Sequence, residues 1–119
     1  MEKTQKPSKE RYLLQIGDIA IDSYGRDVTV KNNVISMTRT EFDVLFFMCQ
    51  HQKCALTKQQ IIDAIWEIGA EPNFHAVENI IYKLRKKIGC SENVRIQTLI
   101  GYGYKLTSIS PNNEDMVMP

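Results

Sequence analysis

Lys83, Arg85, Lys86 and Lys87 set four cations in five consecutive positions around one leucine, in a chain whose net charge is only +1. Side chains of this kind, this close together, hold anions, and phosphate oxygens are the anions they fit best. Just upstream, His75, Asn79 and Tyr82 follow one another at spacings of four and three, which on a helix places them along one ridge. Cations that grip phosphates beside neutral polar groups that reach base edges make a surface suited to the major groove of duplex DNA. A solvated helix face has the same composition, so the neighbouring elements must decide between the two.

A helical wheel separates the faces. With Val77 at the origin and about 100° per residue, Phe74, Ile80, Ile81, Leu84 and Ile88 fall within roughly 60° of it and form the expected core face. His75, Asn79, Tyr82 and Lys86 lie near the opposite pole, Ala76 and Lys83 are next to them, and Arg85 and Lys87 land on the flanks. Asn73 is positioned to cap this helix and Gly89 to close it in a left-handed conformation.

Other residues with chemical potential have plainer readings. Cys49, His51 and Cys54 lie close together, but Cys49 continues an apolar stripe and no second ligand pair follows, so no metal is expected. Three cysteines without a repeated spacing suit free thiols better than a disulfide framework. His51 reads as a cap or a surface residue, and Trp66 and Tyr104 as packing aromatics. Gly101 and Gly103 are expected to supply positive φ in a turn, since no helix follows them to form a phosphate cradle. No nucleophile, base and orienting group come together, which argues against an enzyme and against a cofactor.

The cationic segment belongs to a locally basic third of the chain. Residues 1–74 carry nine Lys and Arg against ten acids, residues 75–105 six against two, and residues 106–119 none against two. Hydrophobic residues at 43% and charged residues at 24% describe one ordinary globular domain, and no apolar run is long enough to span a bilayer. A cytoplasmic protein without membrane contact is the expectation.

The elements that must position the basic helix are legible on both sides of it. LLQI, IAID, DVTV and NVIS, divided by turn residues, predict four short antiparallel strands. Thr38 with Glu41 and Thr57 with Gln60 are capping-box pairs that open two helices, from Thr38 to about His51 and from Thr57 to near Gly69. VRIQTLIGYGYKLTSI predicts a terminal hairpin. The domain is expected to span residues 12–106, as a sheet over 12–36, helices over 37–89 and a hairpin over 90–106. Residues 1–11 are expected to be a tail or linker remnant, and 107–119 a second tail. Three helices with the basic one last, followed by a hairpin, are an α+β winged helix-turn-helix.

MTRTEFDVLFFMCQH, LTKQQIIDAIW, AVENIIYKLRKKIG and RIQTLIGYGYKL, in this order, resemble the DNA-binding effector domain of OmpR/PhoB-type response regulators. The resemblance runs from about Leu14 to Leu106. It implies a recognition helix whose His75, Ala76, Asn79, Tyr82, Lys83 and Lys86 face bases or adjacent phosphates, with Arg85 and Lys87 on phosphates. It implies a wing around Thr98, Ile100, Gly101 and Tyr102, and a loop at Glu67, Ile68, Gly69, Ala70, Glu71, Pro72 and Asn73 that would touch RNA polymerase. Family wings often carry a cation before the first glycine, for the minor groove; this chain has Ile100 there.

The partners implied are double-stranded DNA, RNA polymerase and a second copy on tandem direct repeats. A typical member also has a receiver domain in the phosphorelay, for which 119 residues leave no room. An excised effector domain, a stand-alone regulator and the cytoplasmic part of a membrane-bound activator all remain open. The rival function is a winged helix used as a protein-interaction module.

Overall fold

The computed structural model describes residues 10–70 and 72–109. Alternation of buried and exposed side chains builds the N-terminal sheet from β1 (Leu13–Ile16), β2 (Ile19–Asp22), β3 (Asp27–Val30) and β4 (Asn33–Val34), antiparallel in that order. Ile16, Ile19, Ile21, Val28 and Val30 form its core side. Between β3 and β4, Lys31 and Asn32 both adopt positive φ, 53° and 68°, the pair of left-handed residues that a two-residue type I′ hairpin requires.

Both capping boxes form. Thr38 Oγ1 accepts from the Glu41 N–H at 3.2 Å while the Glu41 carboxylate accepts from the Thr38 N–H at 2.9 Å, opening α1 (Arg39–Gln50), with His51 as its C-cap. Thr57 and Gln60 do the same for α2 (Lys58–Ile65). This second helix stops well before Gly69, where the sequence pattern had suggested. Trp66 turns into an extended conformation, φ −94° and ψ 146°, and its half-buried ring packs against the core; Gly69, at φ 97°, lies in the turn beyond.

Asn73 caps α3 (Phe74–Lys87), its side-chain oxygen accepting from the Ala76 N–H at 3.2 Å. Val77, Ile81 and Leu84 are buried along one face, and Ile80 packs at its margin. Phe74 departs from the wheel. As the first helical residue its side chain leans back over the N-terminal turn, so it is half-exposed, with Lys58 Nζ 5.6 Å from its ring centroid. Gly89 also departs from expectation, since it does not take positive φ. The helix is closed instead by Ile88, φ −101° and ψ 14°, whose side chain is buried.

The hairpin of β6 (Val94–Leu99) and β7 (Gly103–Ser108) is joined by a strand the sequence did not suggest, β5 (Leu56–Thr57), to give the order β5-β7-β6. Two residues carry no readable period, and their only signature is Gly103. A Cβ there would stand 2.0 Å from the Leu56 carbonyl oxygen, so Gly103 serves the close approach of β5 and not positive φ. Gly101 does take positive φ, 77°, in the turn. Strand β7 runs two residues beyond the expected boundary at 106, because Ser108 still pairs with Val94.

At the other end Arg11, expected in the tail, is held by Asp22 at 2.6 Å. The expected tails at 1–9 and 110–119 lie outside the described residues. Cys49 is buried in the core, which pushes its thiol up to about 12; Cys54 and Cys90 are exposed, and all three are free. Among the described residues no helix is long and apolar enough to cross a membrane.

Candidate nucleic-acid interface

Once α3 buries Val77, Ile81 and Leu84 against α1 and α2, the opposite ridge has nowhere to go but outward. His75, Asn79, Tyr82, Lys83 and Lys86 are all exposed, and Ala76 is half-buried beside them. Lys86 Nζ sits 5.2 Å from the Tyr82 ring centroid, and it makes no salt bridge among the described residues. The ridge therefore presents an imidazole, an amide, a phenol and the Lys86 ammonium, with the Lys83 ammonium beside them.

The two flanking cations have different surroundings. Arg85 reaches back to the wing, where its Nε and Nη2 donate to the Ile96 carbonyl at 3.0 and 2.7 Å and Nη2 donates to Thr98 Oγ1 at 2.6 Å. Its guanidinium also lies 5.7 Å from the centroid of the buried Tyr104 ring. Lys87 turns inward to Glu41, 2.5 Å away, whose side chain is 3% exposed. Burial raises the Glu41 carboxyl, but the hydrogen bonds from Lys87 and from the Thr38 N–H outweigh it and hold the group below its ordinary value. Arg85 and Lys87, expected on phosphates, each also make contacts within the fold, because each flank of α3 faces an acceptor on a neighbouring element.

Glu78, which the sequence did not single out, lies beside the ridge and contacts one of its residues. One carboxylate oxygen takes Lys58 Nζ from α2 at 2.8 Å and the other lies 3.2 Å from His75 Nδ1. Its i, i+3 spacing from His75 was visible; the arrival of Lys58 at the start of α2 was not. The Lys58 hydrogen bond, acting against desolvation, keeps the Glu78 carboxyl below the usual range.

The wing stands beside the start of α3. Thr98 is engaged by Arg85, Ile100 is 96% exposed at the tip next to Gly101, and Tyr102 is half-exposed. Thr57, Lys58, Phe74, Thr98 and Tyr102 line a shared groove between the wing and the first turns of α2 and α3. On the far side of α2, Glu67, Ile68, Gly69 and Ala70 lead through Glu71, which lies outside the described residues, to Pro72 and Asn73. Ile68 is fully exposed at the rim of a groove lined by Ile62, Trp66 and Pro72.

Comparison with known proteins places this geometry. The family model for "Transcriptional regulatory protein, C terminal" matches residues 32–106. The transcriptional regulatory protein TrcR of Mycobacterium tuberculosis is 33% identical over 102 residues, covering 86% of this chain and 39% of TrcR. The probable transcriptional regulatory protein TcrX of the same organism is 38% identical over 93 residues, covering 78% of this chain and 40% of TcrX. The chain thus spans about two-fifths of the length of these relatives. Among solved structures, the response regulator DrrB, an OmpR/PhoB homolog of Thermotoga maritima, aligns with a TM-score of 0.72 at 28% identity, covering 81% of this chain and 44% of DrrB. The RstA DNA-binding domain of Klebsiella pneumoniae, solved in complex with the RstA box, aligns at 0.71 and 22% identity over 80% of this chain and 96% of that one, a likeness of fold.

Proposed function

The chain belongs to the OmpR/PhoB-type family of C-terminal domains of transcriptional regulatory proteins, and from that membership we propose that it is a sequence-specific, non-catalytic binder of duplex DNA in a bacterial transcriptional regulator. The observation that carries this is the outward ridge of α3. Neutral polar groups, followed by cations that make no salt bridge among the described residues, stand there on a helix whose other face is anchored in the core. His75, Asn79 and Tyr82 are the groups that reach base edges, and Lys83 and Lys86 are those that grip the backbone. Arg85 contributes by fixing the wing against α3, so that helix and hairpin approach the duplex as one rigid body.

The exposed Ile68 and its groove suit the loop from Glu67 to Asn73 for contact with another protein, and RNA polymerase is the partner we assign to it. The relatives' greater length is consistent with a further domain that controls binding, and two copies are expected to align on tandem half-sites. Selection from a randomised duplex library at near-physiological salt tests the reading. Enrichment of a direct repeat with half-sites about one helical turn apart is the expected result. Retention that is weak, sequence-independent and unaffected by Lys83→Ala with Lys86→Ala would overturn it in favour of a protein-interaction module.

A further inference from the structure

Residues 88–93 join the end of α3 to the start of β6, so their conformation sets how the wing stands relative to the helix. This turn is held from outside. Ser91, 4% exposed, donates its hydroxyl proton to Asp18 Oδ1, and the Glu92 N–H donates to Asp18 Oδ2 at 2.8 Å. With its proton committed to Asp18, Ser91 Oγ turns its lone pairs on the Val94 and Asn93 N–H groups, which donate to it at 2.9 and 3.2 Å. Asp18 thus orients the hydroxyl, and the hydroxyl fixes the first residue of β6. Asp18 itself belongs to the turn between β1 and β2, 73 positions before Ser91 in the chain.

The backbone makes this junction close. Gly17, at φ 57°, lies so near the turn that a Cβ there would stand 2.6 Å from Asn93 Cβ. The Asp18 carbonyl accepts from the Lys31 N–H at 2.9 Å, and Lys31 Nζ reaches Glu92 at 2.7 Å, so the hairpin between β3 and β4 joins the same contact. A network in which both carboxylate oxygens and the hydroxyl are engaged favours a single arrangement of the turn it holds.

Resting on the DNA-binding reading above, we infer that Asp18 is a positioning residue for DNA recognition: through Ser91 and Glu92 it holds α3 and the wing at the mutual angle that lets both meet one duplex. Arg85 ties the wing to α3 directly and Asp18 ties the connection between them, so the hairpin is held at two points. The N-terminal sheet thereby contributes to sequence discrimination from a turn that is part of neither element. Base edges are read by short, directional hydrogen bonds, whereas phosphate contacts carry no sequence information directly. A helix and wing that move independently therefore lose discrimination before they lose general affinity.

The test compares affinity for a duplex obtained by selection with affinity for the same duplex scrambled, a ratio that does not change with the fraction of protein folded. Asp18→Ala should lower this ratio by about fivefold or more, the scale of one lost base contact. Amide hydrogen exchange should quicken at residues 91–94 in the same variant. Ser91→Ala should act in the same direction, and Asp18→Asn should fall between wild type and Asp18→Ala, because its amide oxygen can accept one of the two hydrogen bonds. Arg11→Ala, which removes the ion pair with Asp22 at the other end of β2, should leave the ratio unchanged. A ratio unaffected by Asp18→Ala would overturn the inference, whatever the loss of stability, and so would an equal fall in Arg11→Ala. No selected sequence for the wild-type protein would overturn the DNA-binding reading itself, and this inference with it.

Discussion

Lys83 and Lys86 differ from Arg85 and Lys87 in almost everything except charge. The first pair projects from the outer side of α3, where Lys86 lies over the Tyr82 ring. The second pair is turned into the protein, Arg85 onto the wing backbone and Lys87 onto the nearly buried carboxylate of Glu41. One residue of displacement along a helix is about 100° of rotation, enough to exchange water for a neighbouring element. A cluster that looks uniform along the chain is therefore two populations, one projecting outward and one in contact with neighbouring elements of the fold.

Removal of Lys87 should have the largest effect on stability. Lys87→Ala leaves Glu41 buried beside no counter-charge, and denaturant unfolding should register a loss of about 2–3 kcal/mol. Arg85→Ala deletes the hydrogen bonds to Ile96 and Thr98 at a more exposed site; a loss of about 1–2 kcal/mol is expected, with hydrogen exchange quickening in β6 before α1. Lys83→Ala with Lys86→Ala should change stability by less than about 0.5 kcal/mol, because neither side chain supports another element. A large destabilisation by this outward pair would dissolve the distinction between the two populations.

The acid limb of the stability curve offers a separate probe. The folded-state Glu41 carboxyl lies below its unfolded value, so its contribution is complete above the ordinary carboxylate range and disappears as pH falls through the lowered value. The stability difference between wild type and Glu41→Gln should therefore be greatest near neutrality and shrink on acidification. A difference that grows as pH falls would mean that the Lys87 pair does not govern Glu41.

How much of this the sequence could show depended on the range of the forces involved. Strands β1 to β3 and the starts of all three helices rest on local signals, such as alternation, Thr38 with Glu41, Thr57 with Gln60 and Asn73, and these were readable residue by residue. The ridge of α3 was equally legible, since a helical period determines which residues share a face. Strand β5 was hidden because two residues have no period, and Gly103 was misjudged because its partner, Leu56, is 47 positions away in the chain. The partners of Arg85, Lys87 and Glu78 were beyond reach for the same reason: Ile96, Glu41 and Lys58 arrive only through tertiary packing.

The most direct test of the division between the cations is the salt dependence of binding to a selected duplex, measured for wild type, Lys83→Ala with Lys86→Ala, and Lys87→Ala. Each phosphate contact contributes about 0.9 to the slope of log affinity against log salt, so the outward pair should flatten it by about 1.8 and Lys87→Ala should leave it unchanged. A slope flattened by Lys87→Ala and untouched by the outward pair would contradict the account.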